Sequence, residues 1–393
     1  MDGKEKEERN VPRLRFPGFT GEWEKRKLGE LVKVCSGCDY KHLSKGSIPV
    51  YGTGGYMTSV NKALSYEQDA VGIGRKGTID KPYLLKAPFW TVDTLFFAIP
   101  EASVDINFIL GVFLKVDWKQ KDESTGVPSL SKQTINSVDV FVPGYAEQVK
   151  IGEKLSELDT LIALYQQKAE HLQKLKRGLL QKMFPKAGSK VPEIRFPEFT
   201  GEWEQCKVGN LTDVLSAVRV HRGEWDVDGV PFFRSSDVIA AFKGIENKKV
   251  FIPHSLYERL AKLSGKLEKN DILITGGGSI GIPYIVPDGM PLYSKDADLI
   301  WIKHSSKFSS RYLFVYFECQ EFRKYINSIS HVGTIAHYTI EQVKDTPVML
   351  PSINEQYAVG LHFEKLDHLK TLYQRNLDHL KELKKGLLQQ MFV

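Results

Sequence analysis

The sequence predicts an α+β protein in which two related mixed α/β modules are each followed by one long coiled-coil helix. Three observations lead there. A segment near the amino terminus returns 180 residues later, and a second segment returns with an offset of 208. Between them, short β-rich stretches alternate with Gly and Pro turn signals.

The first repeat is VPRLRFPGFTGEWEKRKLGE from Val11 and VPEIRFPEFTGEWEQCKVGN from Val191, identical at 13 of 20 positions. The second is LDTLIALYQQKAEHLQKLKRGLLQKMF from Leu158 and LDHLKTLYQRNLDHLKELKKGLLQQMF from Leu366, identical at 16 of 27. Weaker matches lie between. Ile48-Pro49-Val50-Tyr51 pairs with Val230-Pro231-Phe232-Phe233 at offset 182, and Gly77-Thr78-Ile79 with Gly278-Ser279-Ile280 at 201. Pro143, Glu147 and Gln148 pair with Pro351, Glu355 and Gln356 at 208. Because the offsets rise in order, the second copy is the first with loop insertions. The interiors are otherwise diverged, which suggests two modules on a shared frame, each with its own specificity.

The chain divides on this basis into a first module at 11–143, a central helix at 144–184 and a linker at 185–190. A second module at 191–351 and a C-terminal helix at 352–393 follow. Strands are expected at 94–99, 138–142, 271–274 and 299–302, and module helices at 106–116 and 310–326. The long helices carry apolar seams at spacings of three and four. In the first copy these are Ile151, Leu155, Leu158, Ile162, Tyr165, Ala169, Leu172, Leu175 and Leu179. In the second they are Val359, Phe363, Leu366, Tyr373, Leu377, Leu380, Leu383 and Leu387, with Lys370 interrupting. Ser352 followed by Glu355 reads as a capping box, where the first copy has Gly144. Lys174, Lys176, Arg177 and Lys182 crowd the last turns of the first helix, a favourable place for positive charge, and Pro185 stops it. A second leucine row, Leu161 and Leu164 with Leu369 and Leu372, lies off the seam. It implies either a further protein surface or a wider core under the adjacent module.

Composition bounds the function. Hydrophobic residues make up 42% and charged residues 26% of 393, which excludes extended disorder. Apolar runs such as Leu299-Ile300-Trp301-Ile302 are closed by charge, far short of the roughly 18 residues needed to cross a bilayer. The polar start from Met1 to Arg9 holds no secretory signal, and four Cys suit a reducing compartment, so the cytoplasm is expected. A net charge of +6 permits a polyanionic partner without requiring one.

Gly72-Ile73-Gly74-Arg75-Lys76-Gly77 has the spacing of a dinucleotide fingerprint, but Pro82 falls where its helix would run. No P-loop, amino-methyltransferase catalytic loop of the form [DN]-P-P-[FYW], or nucleophile–base pairing is evident, so no catalytic residue is assigned. Cys35-Ser36-Gly37-Cys38 lacks two further ligands for a structural zinc, and both cysteines read as small core residues, with no metal site assigned. His171 and His379 read as solvated or packed helix residues. The Gly loops instead offer backbone N–H groups to an anion, and Arg75, Lys76 and Lys81 add charge in the first copy, with Ser279 in the second. Polar loops after the matched prolines hold Thr53 in one copy and Arg234 and Ser235 in the other, while Arg219 and Arg222 flank His221. Arg and Ser suit base edges and phosphates, which makes these the candidate DNA contacts.

The frame as a whole resembles the specificity subunit of type I restriction-modification enzymes. Three features carry the resemblance: Pro-x-x-x-Glu-Gln opening each long helix, Leu-Lys-x-Gly-Leu-Leu-Gln-x-Met-Phe closing it, and the Arg-Phe-Pro-x-Phe-Thr-Gly-Glu-Trp segments at 15–23 and 195–203. It implies two pseudo-symmetric target recognition domains, joined by two long antiparallel helices, that each read half of a bipartite site in double-stranded DNA. It also implies a non-catalytic chain that binds no cofactor itself. Two methyltransferase subunits with S-adenosylmethionine, and restriction subunits using ATP and Mg, would be its partners. Leu155, Leu158, Leu161, Leu164, Tyr165, Leu172, Leu366, Leu369, Leu372, Tyr373 and Leu380 are then the candidate helix–helix or subunit contacts. The competing readings are a coiled-coil scaffold whose modules bind proteins, and a nucleotide-dependent enzyme using the Gly loops.

Overall fold

A computed structural model describes residues 10–289, 291–294, 298–330 and 337–393; the polar start at 1–9, read above for its lack of a secretory signal, lies outside them. The chain forms two compact units. The first runs to Gln166 and resumes at Arg375–Val393, and the second is Gln167–Gln374. Each unit therefore combines one module with part of both long helices, Tyr145–Lys182 and Ile353–Gln390.

The first unit contains a four-stranded antiparallel sheet in the order Val32–Ser36, Leu95–Pro100, Ala70–Gly74, Tyr83–Leu85. The second repeats that order with Val214–Leu215, Leu299–Ile302, Ile272–Thr275 and Pro283–Ile285. Both units add a three-stranded sheet with one parallel pairing. It is Gly55–Val60, Lys45–Gly52 and Trp90–Thr91 in the first unit, and Phe251–Ile252, Val230–Phe233 and Tyr293–Ser294 in the second. Strands Ala70–Gly74 and Ile272–Thr275 are buried throughout, the pattern of a strand covered on both faces. The jump in offset from 182 to 201 is explained by helices Ser235–Lys243 and His254–Ser264, inserted between matched strands of the second unit.

The repeated sequence motifs make the same contacts twice. Arg15 donates to both oxygens of Glu147 at 2.7 Å, and Arg195 does the same to Glu355. Each arginine also donates at 2.6 Å to a carbonyl of its own FTGEW turn, at Gly21 or Gly201. Gln148 Nε2 donates to the Pro143 carbonyl, and its oxygen accepts from the Asp105 N–H; Gln356 joins Pro351 and Ser309 in the same way. The Pro-x-x-x-Glu-Gln motif thus ties the start of each long helix to its own module. The helix ends are buried equally: Phe392 meets Trp23 edge-on with ring centroids 6.2 Å apart, and Phe184 meets Trp203 at 6.1 Å. Removing such a buried phenyl ring costs about 3–5 kcal/mol.

Three local expectations change. The segment 310–326 is not one helix but Ser310–Tyr316 and Gln320–Ser330, because the chain tightens at 317–319, where Glu318 and Cys319 donate to carbonyls three residues back. The capping box at Ser352 is half made: Ser352 Oγ accepts from the Glu355 N–H at 3.4 Å, while the Glu355 carboxylate serves Arg195 instead. Lys176 does not serve the helix terminus, since it is drawn into an ion cluster described below.

Candidate nucleic-acid and subunit interfaces

In the first unit Gly74 ends a strand, and the turn after it is pinned rather than open. Arg75 and Lys76 N–H donate to the Thr94 carbonyl, and Gly77 N–H to that of Pro128. The anion-cradle reading of this loop is therefore corrected, because its amides are already spent on carbonyls. A strand, Tyr83–Leu85, follows the turn where a dinucleotide fold needs a helix, so that reading falls as well.

What the turn does is aim side chains. Arg75 and Lys76 line a cleft of about 510 Å³ with Ser36, Phe96, Ser129, Ser131 and Lys132. The Arg75 guanidinium and the Lys132 ammonium each lie 5.9 Å from the Phe96 ring. Ser131 caps helix Lys132–Ser137 by accepting from Thr134, which places Lys132 in the first helical turn. The wall at 122–129 is held by Asp122, whose carboxylate accepts from the Ser124 and Ser129 N–H groups at 3.0 and 2.9 Å. Those amides hold its carboxyl below the ordinary value.

At the matching place in the second unit the chemistry is different. Ser216, the counterpart of Ser36, lines a cleft of about 190 Å³ with Asp298, His337, Tyr338 and Thr339. Thr339 caps helix Ile340–Asp345 as Ser131 does its own. His337 Nδ1 stands 3.8 Å from Asp298. Among the described residues, one cleft is lined by three cations and the other by a carboxylate and an imidazole.

The remaining candidates scatter. Thr53 occupies the tip of the hairpin between Lys45–Gly52 and Gly55–Val60, and Lys81 lies exposed in the loop before Tyr83–Leu85. Arg219 and Ser279 are exposed, and Arg222 lies against Trp225. The segment Arg234 to Asp237 is the start of helix Ser235–Lys243 rather than a loop. Arg234 is committed to the Asp237 carboxylate and the Lys248 carbonyl, and Ser235 is half-buried. Phe96, Ser131 and Lys132 were missed because they meet Arg75 only through the sheet. Cys35 is half-buried and Cys38 exposed, so neither is a core residue; Cys319 is buried, and burial pushes its thiol up to about 12. Among the described residues no three His, Cys, Asp or Glu side chains group as a metal set, and no helix is long and apolar enough to cross a membrane.

The long helices pair antiparallel within each unit. Lys176 meets Asp367 at 2.7 Å in the second unit, and Asp159 meets Lys384 at 2.5 Å in the first. Both members are separated by 208 positions from their counterparts, so this is one contact made twice. Among the described residues, only in the second unit does a further acid, Glu318, join the lysine at 2.9 Å. Burial pulls Lys176 down, but the two carboxylates outweigh it and hold the ammonium above its ordinary value, while burial raises Glu318. Along the seam Leu155, Leu158 and Leu366 are buried, and Tyr165, Leu172, Tyr373 and Leu380 half-buried. Leu175 and Leu383 are 40% and 42% exposed, contrary to their place in the seam. The second row is exposed in both copies, with Leu161 and Leu164 at 41%, Leu369 at 38% and Leu372 at 43%, so it is no wider core.

The family described as the type I restriction modification DNA specificity domain matches this chain twice, over residues 20–174 and 202–382. The chain belongs to this family. The type I restriction enzyme MjaVIII specificity subunit of Methanocaldococcus jannaschii is 25% identical over 295 residues, 72% of this chain and 68% of that protein. A putative MjaX specificity subunit from the same organism is 22% identical over 267 residues, 66% of this chain and 60% of its own length. The crystal structure of a type I restriction-modification S subunit from M. genitalium has a TM-score of 0.69 at 14% identity, covering 98% of this chain and 99% of that one. A second solved chain, from work on complex assembly and conformational transition of the type I system, has a TM-score of 0.51 at 13% identity, with 96% and 98% covered. Both likenesses concern the fold. Specificity subunits of these systems are non-catalytic and have no cofactor of their own, and the two DNA specificity domains of this chain are its two repeats.

Proposed function

We propose that this chain is the DNA-reading subunit of a type I restriction-modification complex, with each module reading one half of an interrupted target and the long helices carrying methyltransferase subunits. One observation carries the reading. The frame contacts Arg15–Glu147 and Arg195–Glu355 are the same, while the described linings of the matched clefts differ in charge. A constant frame with unlike clefts is what two unlike half-sites require. In the first module Arg75, Lys76 and Lys132 are the proposed contacts, suited to phosphates and to the acceptor edge of guanine. Lys81 and Thr53, and in the second module Arg219, Arg222 and Ser279, are proposed as further contacts. Arg234 and Ser235 are left out because the helix start uses them. The exposed leucines Leu161, Leu164, Leu369 and Leu372 are proposed to pack against partner helices. S-adenosylmethionine, ATP and Mg then belong to the partner subunits, in the cytoplasm.

The test is expression with the cognate methyltransferase subunit in a host free of DNA methylation, followed by direct mapping of methylated adenines. One interrupted motif that depends on this chain is the expected result. A stable complex that methylates nothing, and that binds DNA without sequence preference, would refute recognition by the two modules.

A further inference from the structure

The duplication supplies an internal control for the helix pair. In the second unit Lys176 is shared by Asp367 and Glu318, the latter from the turn after helix Ser310–Tyr316. The corresponding helix of the first unit is Ile106–Lys115. The two align through their caps, because Gln148 accepts from the Asp105 N–H as Gln356 does from Ser309. The offset of 204 between those caps puts Leu114 where the second unit has Glu318, and Lys115 where it has the buried Cys319.

Around Lys384 the first unit consequently has an open cleft of about 670 Å³, lined by Leu114, Lys115, Asp159, Ile162, Lys381, Lys384, Lys385, Leu388 and Gln389. Lys384 is 18% exposed, close to the 15% of Lys176, so the lysine is equally set in, but among the described residues it meets only Asp159. Lys385 has Glu382 at 4.0 Å, both well exposed. Four ammonium groups therefore rim a floor of Leu114, Ile162 and Leu388.

We propose that this cleft of the first unit is a docking site for an acidic, apolar-containing segment of a partner protein, whose carboxylate takes at Lys384 the place that Glu318 takes at Lys176. The inference rests on the reading that the helices carry methyltransferase subunits, and it names that subunit as the occupant. An apolar floor favours protein over DNA, since a phosphate backbone offers nothing to bury against leucine. The second unit, having its own Glu318, needs no such segment, so two docked partners are held unequally.

The test uses the complex of this chain with its methyltransferase subunit, followed by mass and stoichiometry over a salt titration. For the unaltered chain one of the two subunits is released at lower salt than the other. Lys381→Glu with Lys385→Glu, both on the exposed rim, weakens that binding by about tenfold, since like charges then face each other. Leu114→Glu supplies the missing acid within the chain and weakens it too, while the tighter subunit stays bound. Release profiles identical to those of the unaltered complex would overturn the proposal. So would a loss of DNA affinity by the rim variant with unchanged subunit binding, which would make the cleft a phosphate site. Failure of the unaltered chain to bind methyltransferase at any salt would instead remove the underlying reading, and this proposal with it.

Discussion

Arg195 and Glu355, 160 residues apart in the chain, form a two-pronged ion pair in which both N–H···O distances are 2.7 Å. The carboxylate is 1% exposed and the arginine 15%. Its twin, Arg15 with Glu147, has the same distances and nearly the same burial. The pair joins the RFPxFTGEW segment that begins each module to the long helix that follows it, so it closes the module on itself.

Replacing Arg195 by Met leaves the Glu355 charge buried without its partner. The expected loss is on the order of 3–5 kcal/mol of stability for the second unit, read by denaturant unfolding, with part of it recovered when Glu355→Met is added. A loss below about 1 kcal/mol would show that water replaces the guanidinium and that the clasp is not structural.

Glycines within the long helices separate close approach from mere sequence repetition. A Cβ on Gly152 would stand 2.1 Å from Asp105 Oδ1, which caps helix Ile106–Lys115, and 3.0 Å from the Phe108 nitrogen. A Cβ on Gly178 would meet nothing within 4 Å beyond its own helix. Gly152→Ala should cost about 1–3 kcal/mol by forcing helix from module. Gly178→Ala should gain up to about 1 kcal/mol from helix propensity alone. Thermal unfolding of the two variants side by side checks the opposite signs.

The frame was legible because duplication marks a contact twice. Pro143, Glu147 and Gln148 stand out by recurring at one offset, and the structure finds all three joined to the module. Their partners were not legible: Arg15 lies 132 residues from Glu147, and nothing local pairs them. The same limit explains the cleft. Arg75 was visible in its Gly loop, whereas Lys132 reaches Phe96 only after strands and a capped helix are assembled. Arg234-Ser235-Ser236-Asp237 misled for a different reason, since Ser and Asp after a strand serve a turn and a helix start equally well. The pair Asp159/Lys384 does carry a sequence signal, because both residues fall in identical columns of the second repeat.

If Arg75 and Lys132 neutralise phosphates, Arg75→Ala and Lys132→Ala should each lower the slope of log affinity against log salt by about 0.9, uniformly across DNA sequences. If Arg75 reads guanine instead, its loss should cost about 1–3 kcal/mol at one position of one half-site and leave other positions unchanged. Fluorescence anisotropy with matched and singly altered duplexes distinguishes these outcomes. No change in either quantity would exclude the cleft from the DNA interface.

The cleft wall should respond to acid through Asp122. Its carboxyl is held below the ordinary value of 3.8 by the Ser129 and Ser124 amides, so the folded state favours the ionised form. The contribution is therefore whole above 3.8 and is lost as pH falls through the lower folded value. An NMR titration of the Ser124 and Ser129 amide shifts should show a midpoint under 3.8 that Asp122→Asn abolishes. A midpoint at or above 3.8 would mean that these hydrogen bonds are not maintained in solution.

The 38 residues of helix Tyr145–Lys182 span about 57 Å at roughly 1.5 Å per residue, longer than the about 34 Å between successive major grooves. If this length sets the gap between half-sites, four residues added between Gln166 and Gln167, where the compact units divide, should lengthen it by about 6 Å. At roughly 3.4 Å per base pair, and less with tilt, the methylated motif should gain one or two unread base pairs while both half-sites stay the same. The insertion also turns the helix by about 40° beyond a full turn, which the flanking ion pairs Asp159–Lys384 and Lys176–Asp367 must absorb. Adenine methylation mapped with the lengthened chain decides the matter. An unchanged gap would show that the modules are positioned by something other than helix length, and altered half-sites would show that the insertion had disturbed the modules themselves.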